Sequence, residues 1–215
     1  MASVEGIRTL SLVGNDDVAS APKGQEQKRR GVAGIFFVYK AAGAAAAAGA
    51  SLDEVARIAE KARAAVRTMG VALTPCIVPE VGHASFSLGE KEMEIGMGIH
   101  GEPGIRRGEL LPADAVVDEM LKPIVDDLPF AKGDEVAVLL NGLGATPKEE
   151  LYVMFRRVNQ QLSAKGIKVF RLYAGEFATS MEMAGASISL FRLDAELKKL
   201  LSAPASTPFF QQSQL

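Results

Sequence analysis

The sequence predicts an α/β protein in which a mixed sheet is layered with helices. Three observations support this fold class. Strand-like apolar runs alternate with helix-like segments along the 215 residues. Capping-box patterns at Ser51–Glu54 and Thr146–Glu149 each mark the start of a helix. Apolar residues make up 48% of the chain, which is enough for a substantial buried core.

The first 70 residues are predicted to hold one strand and two helices. Residues 6–13 alternate like a strand with one buried face. Residues 31–48 are small and apolar, as in a helix packed closely on a neighbour, and a second helix runs from Ser51 to about Met69, with Gly70 as its stop. One strand and two helices cannot bury their own apolar faces. Residues 1–70 are therefore expected to be the remainder of a first α/β domain, packed as an incomplete layer.

Residues 71–202 are predicted to form a C-terminal α/β domain, and residues 203–215 a tail that frays or lies over the surface. The predicted strands cover 71–78, 85–88, 93–97, 134–140, 167–173 and 186–193. Residues 106–111 are predicted as loop. Three helices are expected, the first from Pro112 with Pro123 ending or kinking it, the second from a Thr146 N-cap to about Lys165, and the third over 195–201.

Composition and charge exclude several function classes. The net charge of −2 comes without a basic stripe, so nucleic acid is not an expected partner. The apolar stretch over 31–52 is mostly Ala and Gly and contains Lys40, which is too weak for a membrane span. No signal peptide is visible, and the single Cys76 fits a reducing compartment, so a cytoplasmic protein is expected. Cys76 is interpreted as a core residue, the alternative being a nucleophile paired with a histidine.

His100 is the first candidate for chemistry. It lies among Gly96, Gly98, Gly101 and Gly104, which leave space around one imidazole and permit unusual backbone angles. A neutral imidazole has one nitrogen lone pair free to accept a hydrogen bond or attack an electrophile. The alternative is an inert histidine in a glycine-rich surface turn. No second histidine stands at a ligand spacing, so no metal site is expected.

Other motifs carry weaker signals. A strand, a glycine-rich turn over 141–146 and a helix N-terminus could seat an anion, but the turn lacks a P-loop ending, and a tight turn with a cap is favoured. His83 is interpreted as a loop residue. Residues 176–183 are interpreted as an ordinary connection, with a pocket or interface lining as the alternative.

Residues 93–105, with the core Gly98-Ile-His-Gly-Glu-Pro-Gly104, resemble the signature of the ketone-binding subunit of dihydroxyacetone kinases. Other stretches agree in the same order along nearly the whole chain, from about Ile7 to Pro208. These stretches are Asn15–Val18, Arg30–Ala33, Pro79 with Ser85–Phe86, Val117–Met120, Asn141 with Leu143–Pro147, and Thr179–Met181 with Gly185.

The resemblance implies that His100 forms a reversible hemiaminal with dihydroxyacetone or a similar short ketose. It further implies that Gly98, Gly101 and Glu102 line the substrate. A polyol has no carbonyl and cannot form this bond, so bond formation itself selects ketoses. The adduct holds the substrate so that its terminal hydroxyl can meet a phosphoryl donor. A four-carbon ketose such as erythrulose remains an alternative, because the chemistry of His100 does not set chain length.

Family members also carry an N-terminal stretch with an acid–base histidine and aspartate, which has no counterpart here. Three alternatives follow: a piece of a split subunit, a shortened subunit, or a non-catalytic ketose-binding or regulatory homologue. The resemblance implies no cofactor on this chain, with ATP–Mg or a phosphorylated carrier protein on a partner. A nucleotide-binding kinase subunit, a separate N-terminal piece and a second copy of the chain are the expected partners. The chain alone is expected to be inactive.

Overall fold

A computed structural model describes residues 2–77, 79–80 and 82–213. One six-stranded mixed sheet carries helices on both faces, which confirms the α/β fold class. The strands are β1 (Val66–Ala72), β2 (Glu92–Ile95), β3 (Arg106–Glu109), β4 (Glu135–Gly142), β5 (Lys168–Gly175) and β6 (Gly185–Leu193). The helices are α1 (Ile35–Ala47), α2 (Leu52–Ala64), α3 (Ala113–Asp127), α4 (Lys148–Ala164) and α5 (Ala195–Ser202).

The strands lie in the order β3-β2-β1-β6-β4-β5. Strands β4 and β5 are parallel, and the other neighbouring pairs are antiparallel. Along β4, Val136, Val138 and Leu140 join the core beneath α3 and α4, whereas Ala137 and Leu139 join the core beneath α1, α2 and α5. Because both faces are covered, this strand is a continuous apolar run rather than an alternating one.

The first 70 residues contribute to this same sheet. Helices α1 and α2 pack on each other and cover one sheet face, and β1 pairs with both β2 and β6. Helix α1 begins where the buried Asp16 carboxylate accepts the backbone N–H groups of Val32 (3.0 Å) and Gly34 (2.9 Å). The division of the chain at residue 70 into two domains stays a prediction.

The predicted strand over 6–13 is wrong. The segment lies outside the sheet, with Ile7, Leu10 and Val13 exposed. The alternation of apolar residues is present, but among the described residues no strand pairs with this segment. Arg8 pairs instead with Asp53 on α2 (2.6 Å), and Leu12 packs on the core beneath that helix.

The predicted end of α2 is also wrong. The helix ends at Ala64 rather than Met69, and Gly70 lies inside β1 instead of stopping a helix. Residues 66–72 all pair with β6, from Val66 opposite Phe191 to Ala72 opposite Gly185. Long-range pairing thus outweighs the helical pattern at the end of this segment.

Several further boundaries differ. Residues 73–77 and 85–88 lie outside the named strands, Val78 lies outside the described residues, and β3 occupies part of the predicted loop over 106–111. Strand β3 has the sequence Arg-Arg-Gly-Glu and sits at the sheet edge, where charged residues are common and apolar alternation is absent. Pro123 does not end α3, which continues to Asp127.

The helix starts show one success and one error. Ser51 accepts the Glu54 backbone N–H (3.3 Å), as the capping box predicts. Thr146 does not cap α4, because its hydroxyl is bonded to the backbone of Gly185 and Pro147 takes the N-cap position. The tail forms a short hairpin of β7 (Ala205–Ser206) and β8 (Gln211–Gln212), held by Gln212 against the end of α5.

Candidate functional site

The glycine-rich segment is the loop between β2 and β3, at one edge of the sheet. Gly96 and Gly101 adopt positive φ angles of 81° and 84°, which favour glycine. Within the loop, the Gly98 N–H donates to the Glu102 carbonyl (3.0 Å), and the Gly101 N–H donates to the Gly98 carbonyl (3.0 Å). The loop is therefore a closed turn with a defined shape.

His100 stands at the tip of this loop with its side chain 78% exposed. Its Nδ1 lies 3.3 Å from Oε1 of Glu102, and its backbone N–H donates to Oε2 of the same carboxylate (3.0 Å). An ionised carboxylate only accepts hydrogen bonds, so Nδ1 carries the proton. The lone pair of Nε2 is then free to accept a proton or attack a carbon.

Glu102 is suited to remain ionised. Burial raises the pKa of its carboxyl group, but hydrogen bonds from its own backbone, from the His100 backbone and from the imidazole, together with the charge of Arg30, outweigh burial and lower the pKa overall. The carboxylate therefore keeps its charge at neutral pH and holds the imidazole in one tautomer.

Arg30 and Asp17 extend this arrangement away from the loop. The Arg30 Nη1 atom lies 4.0 Å from Oε2 of Glu102, and its Nη2 donates to the carbonyl of Gly96 (3.1 Å). On the other side, Arg30 forms an ion pair with the buried Asp17 (2.7 Å). Sequence reasoning did not identify either residue as part of the site. Both lie in stretches that carry the family resemblance, which was the available signal.

Contacts with neighbouring segments also hold the loop in place. The carbonyl of Ile99 accepts a hydrogen bond from the Ser180 hydroxyl, and Ile99 packs on a small apolar cluster that includes Cys76 and Met97. Gly104 donates its N–H to Glu94 (2.7 Å). The segment over 176–183 thus contributes Ser180 to the support of the loop.

The predicted substrate residues have clear positions here. A Cβ atom on Gly98 would overlap the Glu102 carboxylate and lie 2.6 Å from Nη1 of Arg30, so only glycine leaves room for these groups to converge. A Cβ on Gly101 would lie 2.7 Å from the hydroxyl of Ser85. The structure brings Gly98 and Glu102 together around His100. Contact of these residues with a substrate stays a prediction.

The other candidate motifs form no second centre. Cys76 is buried with its Sγ 3.1 Å from the Ser85 hydroxyl, and His83 has its Nδ1 3.1 Å from the carbonyl of Ala84. Neither contact joins the cysteine to a histidine. In the turn over 141–146, the Asn141 amide is bonded to the neighbouring backbone, like Thr146. This use of its polar groups favours the structural interpretation of the turn.

The described part of the chain has neither a metal-ligand cluster nor a membrane-spanning helix. Within residues 2–77, 79–80 and 82–213, no three His, Cys, Asp or Glu side chains gather as metal ligands. Across the same ranges, no helix has the length and apolar character needed to cross a bilayer.

Comparison with known proteins matches residues 1–209 to the Dak1 domain model. The dihydroxyacetone-binding subunit DhaK of a PTS-dependent dihydroxyacetone kinase 2 from Listeria innocua is 47% identical over 211 residues, covering 98% of this chain and 63% of that protein. The L-erythrulose kinase of Pectobacterium atrosepticum is 42% identical over 217 residues, covering 99% of this chain and 37% of that protein.

A solved structure described as the dihydroxyacetone kinase operon co-activator Dha-DhaQ superposes with a TM-score of 0.85 at 32% identity, covering 94% of this chain and 63% of that one. The chain thus spans less than two thirds of the length of these relatives. The matches agree with the resemblance carried by residues 93–105 and by the stretches that flank them. The chain belongs to the Dak1 domain family.

Proposed function

We propose that His100 captures a short ketose as a covalent hemiaminal, as one component of a kinase that phosphorylates the terminal hydroxyl. The observation that carries this proposal is the exposed imidazole whose Nδ1–H is held by Glu102, which leaves Nε2 free and outward. The similarity to a dihydroxyacetone-binding subunit and to an erythrulose kinase supports a ketose with three or four carbons.

The bond-forming step balances with the groups present. The Nε2 lone pair forms the bond to the carbonyl carbon, the π electrons move to the carbonyl oxygen, and that oxygen takes a proton from water. The ring carries a positive charge until Nδ1 releases its proton to the hydroxide ion that this water leaves behind. During that interval it faces the Glu102 carboxylate, with 3.3 Å between Nδ1 and Oε1. Opposite charges at this distance stabilise the charged form of the ring.

Phosphoryl transfer requires a general base and a phosphoryl donor in addition to His100. Deprotonation of the substrate hydroxyl needs a general base within hydrogen-bond reach. Among the described residues, the hydrogen bonds of His83 and Cys76 bring neither side chain to His100. We assign this base to the part of the relatives' length that this chain does not cover. The phosphoryl donor, ATP–Mg or a phosphorylated carrier protein, is assigned to a kinase subunit, and a second copy of the chain remains an expected partner.

Nuclear magnetic resonance with dihydroxyacetone labelled with ¹³C at its carbonyl carbon tests the capture step. In ¹⁵N-labelled protein, we expect a new tetrahedral carbon signal coupled to an imidazole nitrogen, which distinguishes the hemiaminal from the hydrate of the free ketone. Labelled erythrulose should behave alike, and glycerol should give no such signal. If no carbon–nitrogen coupling is observed at a saturating concentration of the ketone, the proposal is contradicted.

Gly98→Ala tests whether capture depends on the convergence of Glu102 and Arg30. The new methyl group collides with flexible side-chain ends, so the fold should persist while the carboxylate moves away from the imidazole. Because displacements of about 1 Å can cost 100-fold in reaction, ketose capture should fall roughly ten- to 100-fold. Gly43→Ala on α1, where a Cβ meets no atom within 4 Å, is the control and should leave capture unchanged. Equal capture by both variants would contradict the expectation.

A ketose-binding protein without kinase activity is a second candidate. It is favoured by the similarity to a protein described as an operon co-activator. Mixing the chain with the rest of that relative and a kinase subunit discriminates between the two. Restored phosphorylation of the ketose supports the kinase component, and adduct formation without phosphorylation in that mixture supports the second candidate.

A further inference from the structure

The same loop carries one further role, which rests on the proposed function. We infer that Arg30, held by the buried Asp17, is a positioning residue that keeps the Glu102 carboxylate against Nδ1 of His100 and so maintains the tautomer that exposes the Nε2 lone pair.

Arg30 is placed to act on the loop at two points. Its Nη2 donates to the carbonyl of Gly96, at the start of the loop, and its Nη1 lies 4.0 Å from Oε2 of Glu102. The Arg30 Nη1 atom and the Glu102 carboxylate meet beside Gly98, which has no side chain and so leaves room for them. A guanidinium presents several N–H donors in a planar fork, so one side chain can hold a carbonyl and a carboxylate together.

Asp17 fixes the guanidinium from the opposite side. One carboxylate oxygen accepts from Nε of Arg30 (2.9 Å) and pairs with Nη2 (2.7 Å), and the other accepts the backbone N–H of Ala19 (3.0 Å). Asp17 is only 2% exposed. Its backbone bridges to Thr68 of β1, where Val18 donates its N–H to the Thr68 carbonyl (3.1 Å). The chain of contacts from the loop therefore ends on the central part of the sheet.

This arrangement gives the buried carboxylate of Asp17 a role. Burial raises the pKa of Asp17, while the charge of Arg30, the Ala19 N–H and the Arg30 hydrogen bond act against that rise. A buried acid whose main charged partner is a loop-contacting arginine is suited to orienting that arginine. The imidazole, the Glu102 carboxylate, Arg30 and Asp17 form one continuous series of polar contacts.

The test measures the His100 tautomer without any ketone, so its result is independent of the capture experiment. The chain has two histidines, and His83 serves as an internal reference in the imidazole ¹⁵N spectrum. At about pH 9, where ordinary imidazoles are neutral, the native protein should show His100 mainly in the Nδ1–H form. Arg30→Gln should raise the ratio of the Nε2–H form to the Nδ1–H form by roughly two- to five-fold, the range for a partly exposed ion pair. Arg106 follows the loop and pairs with Glu119 instead of Glu102. Arg106→Gln removes the same charge and should leave the tautomer ratio unchanged.

A double-mutant cycle then separates positioning from a general structural effect. If Arg30 acts through Glu102, adding Arg30→Gln to Glu102→Gln should change the tautomer ratio no further. Asp17→Asn should shift the ratio in the same direction as Arg30→Gln, and Arg30→Lys should restore part of the native ratio. An equal Arg30→Gln effect in both backgrounds, or an unchanged ratio in the single variant, would overturn the inference.

Discussion

Replacing His100 with alanine should abolish hemiaminal formation and weaken ketose binding by about 100-fold or more, equivalent to about 2.8 kcal/mol. The imidazole supplies the bond to the carbonyl carbon, and the remaining loop offers only hydrogen bonds. Selection of a ketose over glycerol should be lost as well, because it follows from bond formation. Calorimetric titration and the carbon–nitrogen coupling described above measure both effects.

His83→Ala is the matched control for this prediction. His83 is exposed like His100, and its Nδ1 lies 3.1 Å from the neighbouring Ala84 carbonyl. Both variants should have free energies of unfolding within about 0.5 kcal/mol of the native protein, as is usual for exposed positions. A hemiaminal signal that persists in His100→Ala and disappears in His83→Ala would reverse the assignment.

Asp127→Asn should lower the free energy of unfolding by about 3–5 kcal/mol, the range for breaking a buried ion pair. The Asp127 side chain, at the end of α3, is 8% exposed and pairs with Arg29, which is 1% exposed, at 2.6 Å. Arg67 of β1 donates to the same carboxylate. An amide in its place leaves two largely buried guanidinium groups without a counter-charge. Denaturant unfolding measures the change.

Asp126→Asn is the control, because this neighbouring residue is exposed and forms an i,i+4 pair with Lys122. Its free energy of unfolding should change by less than about 0.5 kcal/mol. Equal destabilisation by the two variants would contradict the role assigned to the buried pair.

Lowering the pH should remove the stabilisation that the Asp127 carboxylate provides. Burial raises the pKa of Asp127, but hydrogen bonds from Arg29 and Arg67 and their charges outweigh it and lower the pKa from 3.8 to about 2. Because the pKa is depressed in the folded state, the ionised group stabilises the fold fully above the unfolded value. This contribution, roughly 2 kcal/mol, is lost as pH falls from about 5 through 2. The unfolding free energy of Asp127→Asn should lack this part of the acid dependence.

The sequence was most informative where one short motif carried both conformation and chemistry. His100 and its surrounding glycines were identified from spacing alone, and the structure places the imidazole on an exposed turn. Strand β4 was also predicted, because a strand buried on both faces is a continuous apolar run. In these cases the local pattern and the long-range packing favour the same structure.

The errors arose where long-range partners decide the conformation. Residues 66–69 continue a helical pattern, yet they pair with β6 as part of β1. Residues 6–13 have the pattern of a strand, but no described strand pairs with them. Arg30 and Asp17 were missed as site residues because they lie about 70 residues or more from His100 in sequence. A contact between residues so far apart in sequence produces no periodic pattern that sequence reasoning could detect.

The placement of the loop on β2 and β3 has a consequence for motion. These strands are four residues each, and β2 pairs with the longer β1 at only two positions in regular register. Few backbone hydrogen bonds must break for this hairpin to separate from the sheet, whereas β1, β6 and β4 are joined over seven or eight residue pairs. Local opening free energies are lowest where such bonds are few. The imidazole is therefore carried by a hairpin that can open at lower cost than the central strands, whereas Asp17 is joined to β1, which belongs to the part held by the longer ladders.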